Sequence, residues 1–160
     1  MKEVYLLLGS NLGDSKKKLS DALKIIEEKL GSVIRSSSLY QTAAWGKTDQ
    51  PDFINQVLCL RTKLPPRQLL EQILVIENQL GRIRAEKWSS RTIDIDILFY
   101  GVLIVQEKDL IIPHPFLHLR KFTLLPLCEI NPELYHPVLK AKAIDLLNKL
   151  EDNLQVKKLP

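Results

Sequence analysis

Arg91-Thr92-Ile93-Asp94-Ile95-Asp96-Ile97-Leu98-Phe99-Tyr100 is the run on which the reading of the fold turns. Ile93, Ile95, Ile97 and Phe99 alternate with other residues, and period-two alternation of strand formers predicts a β-strand. Asp94 and Asp96 then share one face, their Cα atoms roughly 6.6 Å apart along the strand. Leu98 and Tyr100 continue that face, so both sides of the strand become apolar and it belongs inside a sheet. Two carboxylates entering such a strand repel each other and are costly to desolvate. A cation should meet them. Mg²⁺ suits, because it takes one or two carboxylates together with phosphate oxygens.

Immediately upstream, Arg82-Ile83-Arg84-Ala85-Glu86-Lys87-Trp88-Ser89-Ser90-Arg91 holds four basic residues and one acidic one. Its arginines can bind phosphate oxygens in bidentate fashion, or Arg82, Arg84 and Arg91 can pair with Asp94 and Asp96. The loop is richer in cations than pairing alone requires. Before it, Pro65-Pro66 opens a helix with an apolar stripe of Leu69, Ile73, Ile76 and Leu80, ended by Gly81. Glu77 continues the neighbouring row of Leu70 and Leu74. Phe53 to Thr62 reads as a strand with Phe53, Asn55, Val57 and Cys59 on one face. A buried Asn55 must be hydrogen-bonded, and its paired donor and acceptor suit a heterocyclic base as well as a structural contact. In the loop from Ala43 to Asp52, Trp45 beside Gly46 either stacks on a flat ligand or folds back onto the core.

Residues 33 to 42 read as one strand, and Leu19, Ala22, Leu23, Ile26 and Leu30 mark a helix stopped by Gly31. Val4 to Leu8 reads as a buried strand. Gly9-Ser10-Asn11-Leu12-Gly13-Asp14 after it either cradles phosphate or is a tight turn with Asp14 or Ser15 as N-cap. On the other side of the central run, Val102 to Val105 reads as a short strand of a hairpin. His114 is locked between Pro113 and Pro115, either to donate to a phosphate or as part of a rigid turn. Arg120 and Phe122 follow, residues 142 to 150 form a last amphipathic helix, and the polar tail 151–160 frays.

The order predicts an α+β fold: a ferredoxin-like βαββαβ sandwich over residues 1–160, with an added hairpin and C-terminal helices. Helices pack on one side of an antiparallel sheet, and the other face or its loops stay free for ligand. Hydrophobic residues are 45% of the 160, enough for one domain with a core. A net charge of +4 favours an anionic partner without choosing one. Cys59 and Cys128 lack metal-ligand spacing and read as buried, reduced thiols, hence a cytoplasmic protein. The N-terminus has too few apolar residues for a secretory signal or a span. No exposed apolar stripe stands out, so a monomer is expected.

Together, Gly9-Ser10-Asn11-Leu12, Ser38-Leu39-Tyr40-Gln41-Thr42, Gln50-Pro51-Asp52-Phe53-Ile54-Asn55, Ile76-Glu77-Asn78-Gln79-Leu80-Gly81-Arg82, Arg91-Thr92-Ile93-Asp94-Ile95-Asp96 and Pro113-His114 form a recognisable set. The chain resembles the 6-hydroxymethyl-7,8-dihydropterin pyrophosphokinases of folate biosynthesis over nearly its whole length. That resemblance implies transfer of pyrophosphate from ATP to the pterin hydroxymethyl group, releasing AMP. It implies Asp94 and Asp96 as ligands of two Mg²⁺ ions, and Arg82 and Arg91 on phosphate within a mobile loop that includes Arg84 and Trp88. Thr42, Ala43, Trp45, Gly46, Phe53, Asn55 and Phe122 are implied on the pterin side. Glu77, Ile97, His114 and Arg120 join Arg82, Arg84, Trp88 and Arg91 on the ATP side. Phe53 stands where the family often has tyrosine, and Ala43-Ala44 where prolines are common. An RNA-binding module on the same scaffold would stack bases on strand aromatics. Aromatic content is only 6%, and two aspartates on the ligand face would repel phosphate. Neither nucleic acid nor membrane is therefore expected as partner.

Overall fold

Lys2–Ser10 forms the strand (β1) on which the sheet is built, with Val4, Leu6 and Leu8 in one core and Tyr5 and Leu7 in another. The computed structural model describes residues 1–43, 51–81 and 93–160. After β1 come Ser15–Lys29 (α1), Ser32–Ser36 (β2), Tyr40–Thr42 (β3), Phe53–Thr62 (β4), Pro66–Gln79 (α2) and Asp94–Tyr100 (β5). The hairpin Val105–Glu107 (β6) and Leu110–Ile112 (β7) leads to Lys121–Ile130 (α3). Tyr135–His136 (β8), Ala141–Lys142 (β9), Ala143–Lys149 (α4) and Val156–Lys158 (β10) complete the chain. The main sheet runs β10-β3-β4-β1-β5, with β2 also on β4, and every pairing is antiparallel.

Local chemistry sets the element ends. The Asp14 carboxylate accepts from Lys17 N at 3.2 Å and caps α1, relieving one of the helix's unpaired N–H groups. Gly31 follows α1 at φ 153°, where a Cβ would lie 1.9 Å from the Arg61 carbonyl oxygen. Only glycine lets the chain turn there beneath β4. Leu19, Ala22 and Ile26 of α1, with Leu69, Ile73 and Ile76 of α2, bury against Leu6, Leu8, Leu58 and Leu60. Each buried leucine or isoleucine contributes about 1.5–3 kcal/mol.

The opposite face departs from the sequence reading. It is largely covered: Leu124 and Leu127 of α3 and Ala143 of α4 pack on Tyr5, Leu7, Val57 and Cys59. These helices carry their own apolar stripes and must bury them, so the C-terminal third is a second layer, leaving only part of that face for ligand. β5 also contains a bulge. Tyr5 pairs with Phe99 and Leu6 with Ile97, so Leu98 is an extra residue. Beyond a bulge the alternation inverts. Phe99 therefore joins Leu98 in the second core and Tyr100 turns to the first, the reverse of strict alternation.

Other expectations are corrected as well. The strand read over 33–42 is two strands broken at Ser37, whose hydroxyl accepts from Val57 N at 2.9 Å and whose own N–H donates to Val57 O. Val102 to Ile104 are exposed and outside any strand, so the hairpin begins at Val105. The tail does not fray: β10 pairs with β3, and the Asp152 carboxylate accepts from Lys121 N at 3.0 Å. Cys128 is only half-buried, whereas Cys59 is fully buried; both thiols are free. No helix among the described residues is long and apolar enough to cross a membrane.

Candidate active site

Antiparallel neighbours directly opposite each other share a face. Tyr40 lies opposite Asn55, Asn55 opposite Gly9, and Gly9 opposite Asp94. These residues therefore form one row across β3, β4, β1 and β5. The next row on one side holds Thr42 and Phe53, and on the other Val57, Leu7 and Asp96. The sequence-predicted Thr42, Phe53 and Asn55 are thus on the same face as Asp94 and Asp96, brought together by register alone.

Asn55 is 5% exposed and lies between Tyr40 and Gly9 in the row. A side-chain amide buried this far needs a partner for its donor and acceptor. Its Oδ1 would lie 2.6 Å from a Cβ placed on Gly9, so glycine at that position is what lets the amide sit over β1. Phe53 and Phe122 are both half-buried, Phe122 in the first turn of α3. The Arg120 guanidinium lies 5.6 Å from the centre of the Phe122 ring and 5.5 Å from that of Phe116, a cation–π arrangement that holds its charge at this end of α3. Near the same end of the sheet, Asn11 Nδ2 donates to Pro51 O at 3.1 Å, beside a cleft of about 440 Å³ that Asp14, Gln41, Asp52 and Ile54 also line.

Asp94 and Asp96 are half-exposed, while Ile93, Ile95 and Ile97 between and around them are buried in the first core. Among the described residues no group of three or more His, Cys, Asp or Glu could hold a metal ion. Two carboxylates on one face are nonetheless the donor set Mg²⁺ uses when phosphate and water complete its shell.

The outer edge of β5 has no strand partner among the described residues. Glu77, buried on α2, accepts from Ile95 N at 2.8 Å on that edge. His114 N donates to Leu98 O at 3.0 Å. The Ile97 side chain faces the first core, so its backbone is the part left for a ligand. Glu77, the Ile97 backbone and His114 thus line one edge that adjoins the two aspartates. Ala43 is exposed at the end of β3. Trp45, Gly46, Arg82, Arg84, Trp88 and Arg91 lie outside the described residues.

Burial, assisted by the Arg120 charge, pushes His114 down to about 4. Its Nδ1 accepts from Phe116 N at 3.1 Å, so the neutral ring carries its proton on Nε2 and is a donor at pH 7. Because the folded form binds the proton less readily than the unfolded chain, stability is lost as pH falls from about 6.5 towards 4. The loss from this one group should be about 3 kcal/mol. Denaturant melts across that range should show a shallower pH slope in His114→Gln; an unchanged slope would remove His114 as the source.

Sequence reasoning did not single out Glu129 of this region, and it met Gly9 and Tyr40 only inside longer motifs. A glycine inside a strand pattern is a signal of close approach, and Gly9 read as part of the following turn concealed it. Nothing in the sequence couples Tyr40 to Glu129.

The model of the family described as 7,8-dihydro-6-hydroxymethylpterin-pyrophosphokinase (HPPK) matches residues 5–132. The chain is 43% identical over 138 residues to the 2-amino-4-hydroxy-6-hydroxymethyldihydropteridine pyrophosphokinase of Aquifex aeolicus, covering 86% of each. It is 42% identical over 134 residues to the enzyme of the same name from Haemophilus influenzae, covering 83% of this chain and 84% of the relative. Among solved structures, Plasmodium falciparum HPPK-DHPS superposes with a TM-score of 0.77 at 21% identity, a likeness of fold. The match covers 92% of this chain and 41% of that longer one.

Proposed function

The chain belongs to the 7,8-dihydro-6-hydroxymethylpterin-pyrophosphokinase family, and from that premise we propose how its residues divide the work. The reaction is transfer of pyrophosphate to the hydroxymethyl group of 6-hydroxymethyl-7,8-dihydropterin, a step of folate biosynthesis. ATP is the donor and AMP the product that leaves. The hydroxymethyl oxygen attacks the β-phosphorus, forming one O–P bond as its O–H bond breaks and the proton passes to solvent. The bond from that phosphorus to the α,β-bridging oxygen breaks. The observation that carries this assignment is the row Asn55–Gly9–Asp94, which sets a side-chain amide and a carboxylate on either side of one glycine.

Asn55 reads the pterin edge with its donor and acceptor, and Phe53 and Phe122 sandwich the ring. Thr42, Ala43, Trp45 and Gly46 close the pterin side. Glu77, the Ile97 backbone, His114 and Arg120 border ATP along the open edge of β5, with His114 donating from Nε2. Asp94 and Asp96 would hold two Mg²⁺ ions, which would supply positive charge to offset that of the transferring group. Arg82 and Arg91 bind phosphate from a loop, with Arg84 and Trp88, that closes once both substrates are bound and excludes water. No side chain is needed as general base, since positioning and electrostatics supply most of such a barrier reduction. We read the core as ferredoxin-like, supported by the all-antiparallel order β5-β1-β4 with β2 and β3 at its end and by α1 and α2 on one face. The enzyme acts as a cytoplasmic monomer on small molecules, a reading to which its two free thiols conform.

Incubation with Mg²⁺-ATP and the hydroxymethyl-dihydropterin should release AMP in step with pterin diphosphate. ADP instead would mark a different phosphotransferase. No nucleotide chemistry, with tight RNA binding that weakens steeply with salt, would mark a nucleic-acid module.

A further inference from the structure

One carboxylate ties together the two elements that carry the pterin-side residues. Glu129 lies near the C-terminal end of α3, and its side chain is only 27% exposed. Its Oε1 accepts from Tyr40 OH at 2.8 Å and from Ser38 N at 3.0 Å, and its Oε2 from Ser38 Oγ at 2.8 Å. Lys158 Nζ of β10 is 3.7 Å from Oε2. Burial works against the charge on Glu129, yet the bonds from Ser38 and Tyr40 outweigh it and hold the carboxyl below its usual range. Tyr40 itself is 5% exposed and its phenol is pushed well up, by burial first and by the Glu129 bond second. The arrangement is therefore an ionised acceptor taking three hydrogen bonds at neutral pH.

Its position matters more than its strength. Glu129 follows Phe122 by seven positions on α3, which places both on one helix face about 10 Å apart. Tyr40, at the other end of the hydrogen bond, stands directly opposite Asn55 in the sheet. The bond thus joins the helix of Phe122 to the strand neighbour of Asn55 and Phe53. α3 needs such a tie. Pro126 lies inside it and has no N–H for the Phe122 carbonyl, so the first turn is less firmly held by the rest of the helix. Asp152 takes Lys121 N at the front, and Glu129 anchors the back.

We propose that Glu129, through Tyr40 and Ser38, is a positioning residue that sets the gap between Phe122 on α3 and Phe53 and Asn55 on β4. The inference rests on the pterin reading of that gap. Glu129 touches no reacting atom, so its loss should move pterin binding and leave the chemical step alone.

Steady-state kinetics on the full chain test this. Glu129→Ala should raise KM for the pterin roughly tenfold, with kcat and KM for ATP within about twofold, since misplaced contacts weaken uniform binding. Glu129→Gln keeps the acceptor and should restore most of the loss. Tyr40→Phe deletes one hydroxyl without changing shape and should move pterin KM the same way, roughly threefold. It serves even where Glu129→Ala fails to fold. Variants that melt earlier but keep the wild-type pterin KM overturn the positioning role. A wild-type protein that makes no AMP from this substrate pair overturns the pterin reading itself, and the inference with it.

Discussion

Asp94→Ala or Asp96→Ala is expected to lower AMP formation by roughly a thousandfold or more, with the fold preserved. The size follows from the metal-holding role proposed for the two carboxylates. Each factor of ten in rate is about 1.4 kcal/mol of barrier, and fixed opposite charge on a transferring phosphoryl group supplies several kcal/mol. No other carboxylate or histidine cluster among the described residues offers a substitute donor set. Preservation of the fold follows from where the side chains lie. Both are half-exposed, on the face of β5 opposite the buried Ile93, Ile95 and Ile97. Alanine is a poorer strand former by up to about 1 kcal/mol, but removing one carboxylate also relieves repulsion between the pair. Melting temperatures should therefore stay close to wild type. Calorimetric titration of Mg²⁺-ATP should show weakened nucleotide binding that more Mg²⁺ does not restore. A variant that turns over at the wild-type rate would sink the metal assignment.

The same strand shows how far the sequence could be read. Alternation placed Asp94 and Asp96 on one face, because Ile95 between them and Ile93 and Ile97 on either side are unambiguous core residues. It failed three residues later. Leu98, Phe99 and Tyr100 are all apolar enough for either side, so nothing in their chemistry revealed the bulge that exchanges Phe99 and Tyr100. The break at Ser37 was hidden differently. A serine hydroxyl can take the place of a backbone acceptor, so Ser37 continues pairing with Val57 while the strand itself ends. The polar tail looked unable to bury anything. It is held by backbone pairing of Val156 to Lys158 on the edge of β3 and by Asp152 on the first turn of α3, which need little apolar area. The candidate site was legible by residue type, in the aspartates, Asn55 and Phe53. Its assembly was not, because the row Tyr40–Asn55–Gly9–Asp94 joins four strands far apart in sequence, and only register brings them level.

That row leads to the second large effect. Gly9→Ala is expected to raise KM for the pterin at least about thirtyfold while costing little stability. A Cβ on Gly9 would sit 2.6 Å from Asn55 Oδ1, 3.7 Å from Asn55 Cγ and 3.9 Å from Ile54 O. The first distance is far inside contact, so Asn55 must move. It is a short, buried side chain with few rotamers, and any of them takes the amide off its line over β1. The backbone does not object. Gly9 is an ordinary strand residue without a positive φ, and glycine inside a strand is itself about 0.5–1 kcal/mol less stable than alanine. Strain at Asn55 and relief in the backbone roughly offset each other. The loss should thus appear in pterin affinity and leave the melting temperature and KM for ATP near wild type. Coupling gives the sharper check. If alanine at Gly9 acts by displacing the amide, adding it to Asn55→Ala should cost almost nothing further, because the two changes remove one interaction. Fully additive losses in that cycle would mean that Gly9 contacts the ligand on its own account, and an unchanged pterin KM in Gly9→Ala would mean that the amide is not aimed at the pterin.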